Sequence, residues 1–496
     1  MIQDNDRRGQ RGGTIYYDIT GIMDYFSNQS RISGIQRVSV LTISQFAQNF
    51  AAGKCKLIGF HPKLKRALCT DISFFENQEF NPGEFLRYFD IPCRNKDAYK
   101  TDNKSRYSTL EQYLFRRYKS KFSRIIHKYR LQINNTFQGG ALFERRGIID
   151  GSSTTRTQSV ARWEQPNIQS NDVIFIPGDI WGFNKYVDFI RMTREASNNK
   201  VVMLVHDLIP LTTPAFVDDG ARRQFGRWLS EMCSFVDSFL TVSDSTKKDL
   251  LDYLSEICAR EIDVGVIPLA HEFVLKGETL LAGPAERSPS KFKGPALEKI
   301  HTSVLSASHR PYVLCVGTIE GRKNNWGLAT TWASIGGKYG LRTPKLLFAG
   351  RRGWSNDDFF KFIDSTGNIN GSIGLVENPS DEELAYLYKN SLFTVFPSYY
   401  EGWGLPIGES LWFGKPVVAS NTSSMREVGG DVVDYVDPYD LEALEAAIIR
   451  MLDPDYRSKR TAAVQSMHKR TWVEVAKDIR AALETKLDAT NAAGRG

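Results

Sequence analysis

Two glutamates eight positions apart, Glu401 and Glu409, bracket the run Gly402-Trp403-Gly404-Leu405-Pro406-Ile407-Gly408. Gly402 and Gly404 carry no side chain to hold a ligand away from their backbone N–H groups, and a helix beginning at Leu405 would turn its positive end toward an anion. Carboxylates placed one before such a helix and one about a turn inside it suit acceptors for sugar hydroxyls better than a metal site. The structural alternative is a helix-start acid and a helix-surface acid with no joint role.

A second run, Gly317-Thr318-Ile319-Glu320-Gly321-Arg322-Lys323-Asn324, follows an apolar segment and sets two cations side by side. Arg322 and Lys323 at a strand-to-helix turn would offset the negative charge that grows on a departing nucleoside diphosphate, which is electrostatic stabilisation of a transition state. Otherwise they are a solvated pair. His206-Asp207-Leu208-Ile209-Pro210 stands directly behind Val201-Val202-Met203-Leu204-Val205. A histidine at a strand's carboxyl end can hydrogen-bond a substrate hydroxyl or carbonyl, with a neighbouring acid such as Asp207 fixing its tautomer, or it can be a satisfied structural residue. Near the start, Arg31-Ile32-Ser33-Gly34-Ile35-Gln36-Arg37-Val38 offers Gly34 for close backbone approach and a helix from Ile35 whose positive end faces the same region; an ordinary loop is the alternative. Ser243-Asp244-Ser245-Thr246 reads as a helix N-cap cluster.

These runs need strands behind them. Short β-branched or apolar stretches alternate with helical patterns almost throughout, the signature of parallel sheets with helical crossovers. Candidate strands are 14–18, 56–59, 173–176, 201–205, 238–242 and 264–267 in the first half, and 312–316, 345–349, 373–375, 393–396 and 416–419 in the second. Between them, 282–309 is rich in Pro, Ser, Gly and Lys and reads as a linker. The expected organisation is a loose tail over 1–13, a first domain over 14–281 with a basic helical insertion at about 100–131, the linker, a second domain over 310–470, and a C-terminal helix and tail over 471–496. Trp472, Val475, Ile479 and Leu483 form an apolar stripe on that helix, which could pack on either half. Doubly wound sheets bind ligands beyond the carboxyl ends of their strands, and two facing sheets bind them in the cleft between.

The block around Glu401 and Glu409 resembles the hallmark of the retaining glycosyltransferases of family 4, and the resemblance runs over most of 312–485, more thinly over 201–269. It implies an α/β protein of the GT-B arrangement, two Rossmann-like doubly wound parallel-sheet domains facing a central cleft. It further implies that Glu401 contacts the donor sugar, that Glu409 contacts the nucleotide ribose, and that the turn Gly402, Trp403, Gly404 and Leu405 lies against the sugar and diphosphate. In the family the turn after the first strand of the second domain binds the diphosphate, which assigns Gly317, Thr318, Arg322 and Lys323. The His-Asp-x-x-Pro segment is similar to that of family 4 mannosyl- and rhamnosyltransferases, where the His approaches the donor sugar. Gly34 corresponds to the loop covering the diphosphate, and Val376, within Gly374-Leu375-Val376-Glu377-Asn378-Pro379, to the segment beside the base. The chain has Thr318 where many members have Arg, Gly321 where a similar subgroup has Pro, and a single glycine at 34 where paired glycines are common.

Composition fits this reading. With 496 residues, 41% apolar and 24% charged, the chain is ordinary soluble globular protein of two or three domains. No apolar run is long enough to span a membrane, the opening residues lack a secretion signal, and six scattered cysteines (Cys55, Cys69, Cys93, Cys233, Cys258, Cys315) indicate neither zinc nor disulfides. A cytoplasmic location follows as an expectation. Asp-x-Asp occurs only at Asp4/Asp6 and Asp453/Asp455, neither behind a strand, so no metal cofactor is expected. Between Lys100 and Arg130 ten Lys/Arg face only Asp102 and Glu111, more than the chain's whole net charge of +7. Leu114, Tyr118, Phe122, Ile125 and Tyr129 there would form an apolar stripe on a basic helix, suited to an anionic membrane surface through 113–130 or to packing against a domain, and not to nucleic acid. The reading is a retaining glycosyltransferase moving a sugar from a nucleotide-sugar donor, first GDP-mannose, to a hydroxyl of a polysaccharide or lipid-linked glycan acceptor. Alternatives are a rhamnosyl- or glucosyltransferase using a dTDP- or UDP-sugar, and a non-catalytic sugar-binding or membrane-scaffold subunit.

Overall fold

The computed structural model describes residues 13–32, 34–49, 54–76, 80–99, 160–178, 180–258, 260–275 and 297–493. The first sheet comprises β1 Ile15–Asp18, β2 Cys55–His61, β3 Arg66–Asp71, β4 Val173–Ile176, β5 Lys200–Val205, β6 Ser238–Thr241 and β7 Asp263–Val266, in the order β3-β2-β1-β4-β5-β6-β7. The second comprises β8 Tyr312–Val316, β9 Lys345–Gly350, β10 Ile373–Glu377, β11 Thr394–Phe396, β12 Val417–Ser420 and β13 Asp434–Val436, in the order β10-β9-β8-β11-β12-β13. Strands β1, β4, β6 and β8 are buried along their whole length; β4 and β8 appear in the sequence as unbroken apolar runs, while β1 and β6 carry polar residues only at their ends. Separate cores serve the two sheets, one around Ile174, Met203, Trp228 and Phe239, the other around Val313, Trp332, Phe348 and Ile448. Both sheets lie in one compact unit.

The first sheet is not wholly parallel, as the sequence led us to expect. Strand β3 runs antiparallel to β2, with Ile58 opposite Cys69 and Leu57 opposite Thr70. Residues 62–65 join the two, far too few for the crossover a parallel pair requires, and Lys65 turns the corner at φ 56°. The short edge strand β13 was also not anticipated.

Five helices matter for the site: α1 Gly34–Asn49, α2 Asp244–Ile257, α3 Asp381–Asn390, α4 Leu405–Trp412 and α5 Trp472–Ala493. Of the two halves open to it, α5 packs on the first, against α1, β4 and β5, and buries Trp472, Val475, Ile479 and Leu483. The described part of the expected linker holds a short turn at Leu297–Lys299 and a helix at Thr302–Ala307. Residues 1–12 of the expected tail over 1–13, and the basic stripe at 113–130, lie outside the described residues. Among those described, no helix is long and apolar enough to cross a membrane.

In each sheet the chain reverses its direction of travel between neighbouring strands, between β1 and β4 in the first and between β8 and β11 in the second. Turns leaving the carboxyl ends of such neighbours flank one crevice. This is why the turn after β8 and the turn after β11, almost eighty residues apart in sequence, meet in space.

Candidate active site

Three of the charged groups singled out by sequence converge. Arg322 Nη1 lies 3.0 Å from Glu401 Oε2, Lys323 Nζ hydrogen-bonds Glu401 Oε1, and Arg322 Nη2 lies 2.5 Å from Glu320 Oε1. The backbone joins the same turns, the N–H of Tyr399 donating to the carbonyl of Arg322 at 2.9 Å. Glu401 is 8% exposed. Burial alone would push its pKa up, but Arg322 and Lys323 outweigh it and bring the pKa down to about 2, so the group is a carboxylate at neutral pH. Gly317 adopts φ 144°, and a Cβ there would stand 3.5 Å from the Lys323 stem; a small cleft lined by Gly317, Thr318, Lys323, Asn325 and Ser398 opens beside it. Thr318 Oγ1 accepts from Arg351 Nε at 3.5 Å.

The glycine turn is held from both halves. A Cβ on Gly402 would stand 2.3 Å from the carbonyl oxygen of His206, so no larger residue fits without displacing backbone. The carbonyl of Gly402 accepts from Ser243 Oγ at 2.8 Å and Thr246 Oγ1 at 3.2 Å, while Ser243 Oγ also caps α2 by accepting from the Thr246 N–H. The N-cap cluster therefore has a second task in the cleft. Gly404 adopts φ 101°, a conformation that favours glycine, and it precedes the first turn of α4. Ser423 Oγ accepts from the Glu401 N–H, and Ser424 Oγ donates to the carbonyls of Glu401 and Trp403. Trp403 is 6% exposed, and Leu405 opens α4.

His206 stands behind β5 and is buried, but Asp207 does not orient it. Nε2 of His206 lies 2.8 Å from the carbonyl of Pro177, which can only accept, so Nε2 carries the proton and Nδ1 is the lone-pair nitrogen. Burial lowers its pKa to about 4 and keeps the ring neutral. Asp207 instead accepts from the Ile209 N–H at 3.0 Å, a local turn contact that carries no side-chain link to the imidazole.

Glu409 separates from the other three. Its carboxylate receives Tyr388 Oη at 2.8 Å and faces Arg37 Nη1 at 3.5 Å, while Arg37 Nη2 reaches Asp381 at 2.6 Å. Burial raises its pKa, and Arg37, the cation facing it among the described residues, with the Tyr388 hydrogen bond only partly counters that. Gly34 begins α1 at φ 47°, one turn before Arg37. Val376 is buried in β10, three residues before Pro379.

Sequence reasoning missed Ser423, Ser424, Tyr388, Asp381 and the role of Arg37 as a cation; the Ser-Ser pair behind a strand was the one available signal. No cluster of three or more His, Cys, Asp or Glu able to hold a metal occurs among the described residues, and Asp453 caps a helix by accepting from the Tyr456 N–H. All six cysteines are free thiols.

Residues 297–469 match the family described as Glycosyl transferases group 1. The chain is 30% identical over 279 residues to the O-antigen chain mannosyltransferase B of Escherichia coli, covering 55% of this chain and 68% of that one. It is 26% identical over 275 residues to the serotype-specific mannosyltransferase WbdA of Escherichia coli, spanning 55% of this chain and only 32% of that relative. The structure of Anabaena Alr3699/HepE in complex with UDP and glucose superposes over 95% of this chain and 100% of its own with TM-score 0.51, a likeness of fold at 13% identity.

Proposed function

The chain belongs to the glycosyl transferases group 1 family and is a glycosyltransferase of GT-B fold, and from that premise we propose that it transfers mannose from GDP-mannose, with retention, to a hydroxyl of a polysaccharide or lipid-linked glycan. The observation that carries the proposal is the convergence of Arg322 and Lys323 on Glu401 at the head of the glycine turn. In this reading the donor diphosphate takes the place beside the two cations. The bond from the anomeric carbon to phosphate oxygen breaks with its electron pair leaving on the diphosphate, and Arg322 and Lys323 offset the charge that develops there. The acceptor hydroxyl attacks the same face and passes its proton to the departing phosphate oxygen. Glu401 accepts sugar hydroxyls, the neutral Nδ1 of His206 accepts another, and the N–H groups of the Gly402–Gly404 turn lie against sugar and phosphate. Glu409 accepts the ribose hydroxyls. With charge offset by side chains, the reaction in this reading needs no metal ion.

Support for mannose comes from the two Escherichia coli relatives, both named as mannosyltransferases. A thermal-shift series with GDP-, UDP- and dTDP-sugars tests the donor: GDP-mannose is expected to raise the apparent Tm most. A larger shift with dTDP-rhamnose or UDP-glucose would replace mannose in the proposal, and no shift with any of them would overturn the donor site. An axial-to-equatorial change at the product's anomeric centre, read by NMR, would overturn retention.

A further inference from the structure

One buried cation crosses from the first half of the molecule to the second and serves no step described above. Arg37 sits one turn into α1, and its side chain is 10% exposed. It lies over the ring of Phe273, with the guanidinium carbon 5.2 Å from the centroid. Its two ends reach two different helices of the second half: Nη2 is 2.6 Å from Asp381 at the start of α3, and Nη1 is 3.5 Å from Glu409 within α4. Tyr388, further along α3, donates to the other oxygen of Glu409 at 2.8 Å. The titratable and charged groups facing Glu409 are therefore Arg37 from α1, and Asp381 and Tyr388 from α3.

We propose that Arg37 is a positioning residue for nucleotide recognition, reaching across from the first half to aim the Glu409 carboxylate and hold it ionised for the ribose hydroxyls. This rests on the reading of Glu409 as the ribose acceptor. The physical argument is one of partners. A buried carboxylate facing one cation and a like charge is sensitive to both: without the cation its pKa moves further up, and its capacity to accept from hydroxyls falls away at a higher pH. Arg37 is fixed in turn by Asp381 and Phe273, so Glu409 is oriented by a group that is itself immobilised. Nucleotide affinity is thereby made to depend on the first half being docked against the second.

The test is GDP affinity by calorimetry as a function of pH for the wild type, Arg37→Met, Arg37→Lys, Glu409→Gln and the double variant Arg37→Met/Glu409→Gln, each first shown to melt cooperatively. Arg37→Met is expected to weaken GDP binding about tenfold at neutral pH, the loss expected for one charge-assisted hydrogen bond. Because removing the cation raises the Glu409 pKa further, the loss should deepen as pH falls and shrink as pH rises, at a higher pH than in the wild type. Arg37→Lys should recover much of the affinity, Glu409→Gln should bind weakly without that pH dependence, and the double variant should match Glu409→Gln. Arg37→Met weakening GDP equally at every pH, or adding its full loss to that of Glu409→Gln, would overturn the proposal and leave Arg37 a packing residue. The underlying reading is tested separately by 2′-deoxy-GDP: if the wild type and Glu409→Gln discriminate equally against it, Glu409 does not touch ribose, whatever Arg37 does.

Discussion

Glu401 and Glu409 are the same residue type, eight positions apart and equally buried at 8% exposure, yet the fold gives them opposite proton affinities. Glu401 sits in the turn between β11 and α4, beside two adjacent cations from its own half, and its pKa falls to about 2. Glu409 sits inside a helix with one cation supplied by the other half, and its pKa rises. Burial is common to both; the count and source of the cations decide the sign. One acid takes both its cations from its own half, and the other takes its cation from across the cleft.

That contrast can be broken most severely at the shared cations. Replacing Lys323 with Met should lower the transfer rate roughly 10²–10³-fold, the range for losing one preorganised charge-stabilising group, with a smaller effect on donor affinity. Equal losses in kcat and in donor Kd would mean that Lys323 only binds the donor. The next effect concerns acid stability. A carboxylate whose folded pKa is depressed contributes stability that is present above its unfolded pKa and lost as pH falls through the folded value. For Glu401 that contribution is on the order of 3 kcal/mol, spent between about pH 4.5 and about pH 2. Urea melts in that window should show the wild type losing stability and Glu401→Gln lacking that slope. An unchanged slope would contradict the pairing.

Gly402→Ala sharpens the comparison from the backbone side. Its Cβ would meet the His206 carbonyl at 2.3 Å, so the two halves must part locally; overpacking of this kind costs about 1–3 kcal/mol, readable as a lower Tm. Smallest is Ser243→Ala, which removes both the cap of α2 and a bond to the Gly402 carbonyl and should cost about 1 kcal/mol, with the donor site otherwise intact.

The local parts of the site were legible in sequence because their geometry is local. Gly402 and Gly404 must be glycines for reasons of space and φ, and two adjacent cations behind an apolar strand announce an anion. The strands buried on both faces were equally plain. Strand β13, three residues with Asp at its head, carries no such run. The antiparallel β3 was missed although Ala67, Leu68 and Cys69 are buried, because its turn lacks the glycine or asparagine that marks a hairpin. What orients His206 is the carbonyl of Pro177, and a backbone acceptor leaves no side-chain signature. Arg37 finds its partners 344 and 372 positions away, a distance across which no spacing rule operates.

The last helix carries a further implication. Helix α5 covers β4 and β5, strands made several hundred residues before it, whereas the second sheet draws its core from 313–451, one continuous stretch. During synthesis the later half can close its own interior as it emerges, while the earlier half waits, with apolar surface uncovered, for Trp472, Val475, Ile479 and Leu483 to arrive. A chain cut after residue 470 would thus hold a complete second core beside a first half with α5 missing, and that uncovered half is where a chaperone should be found.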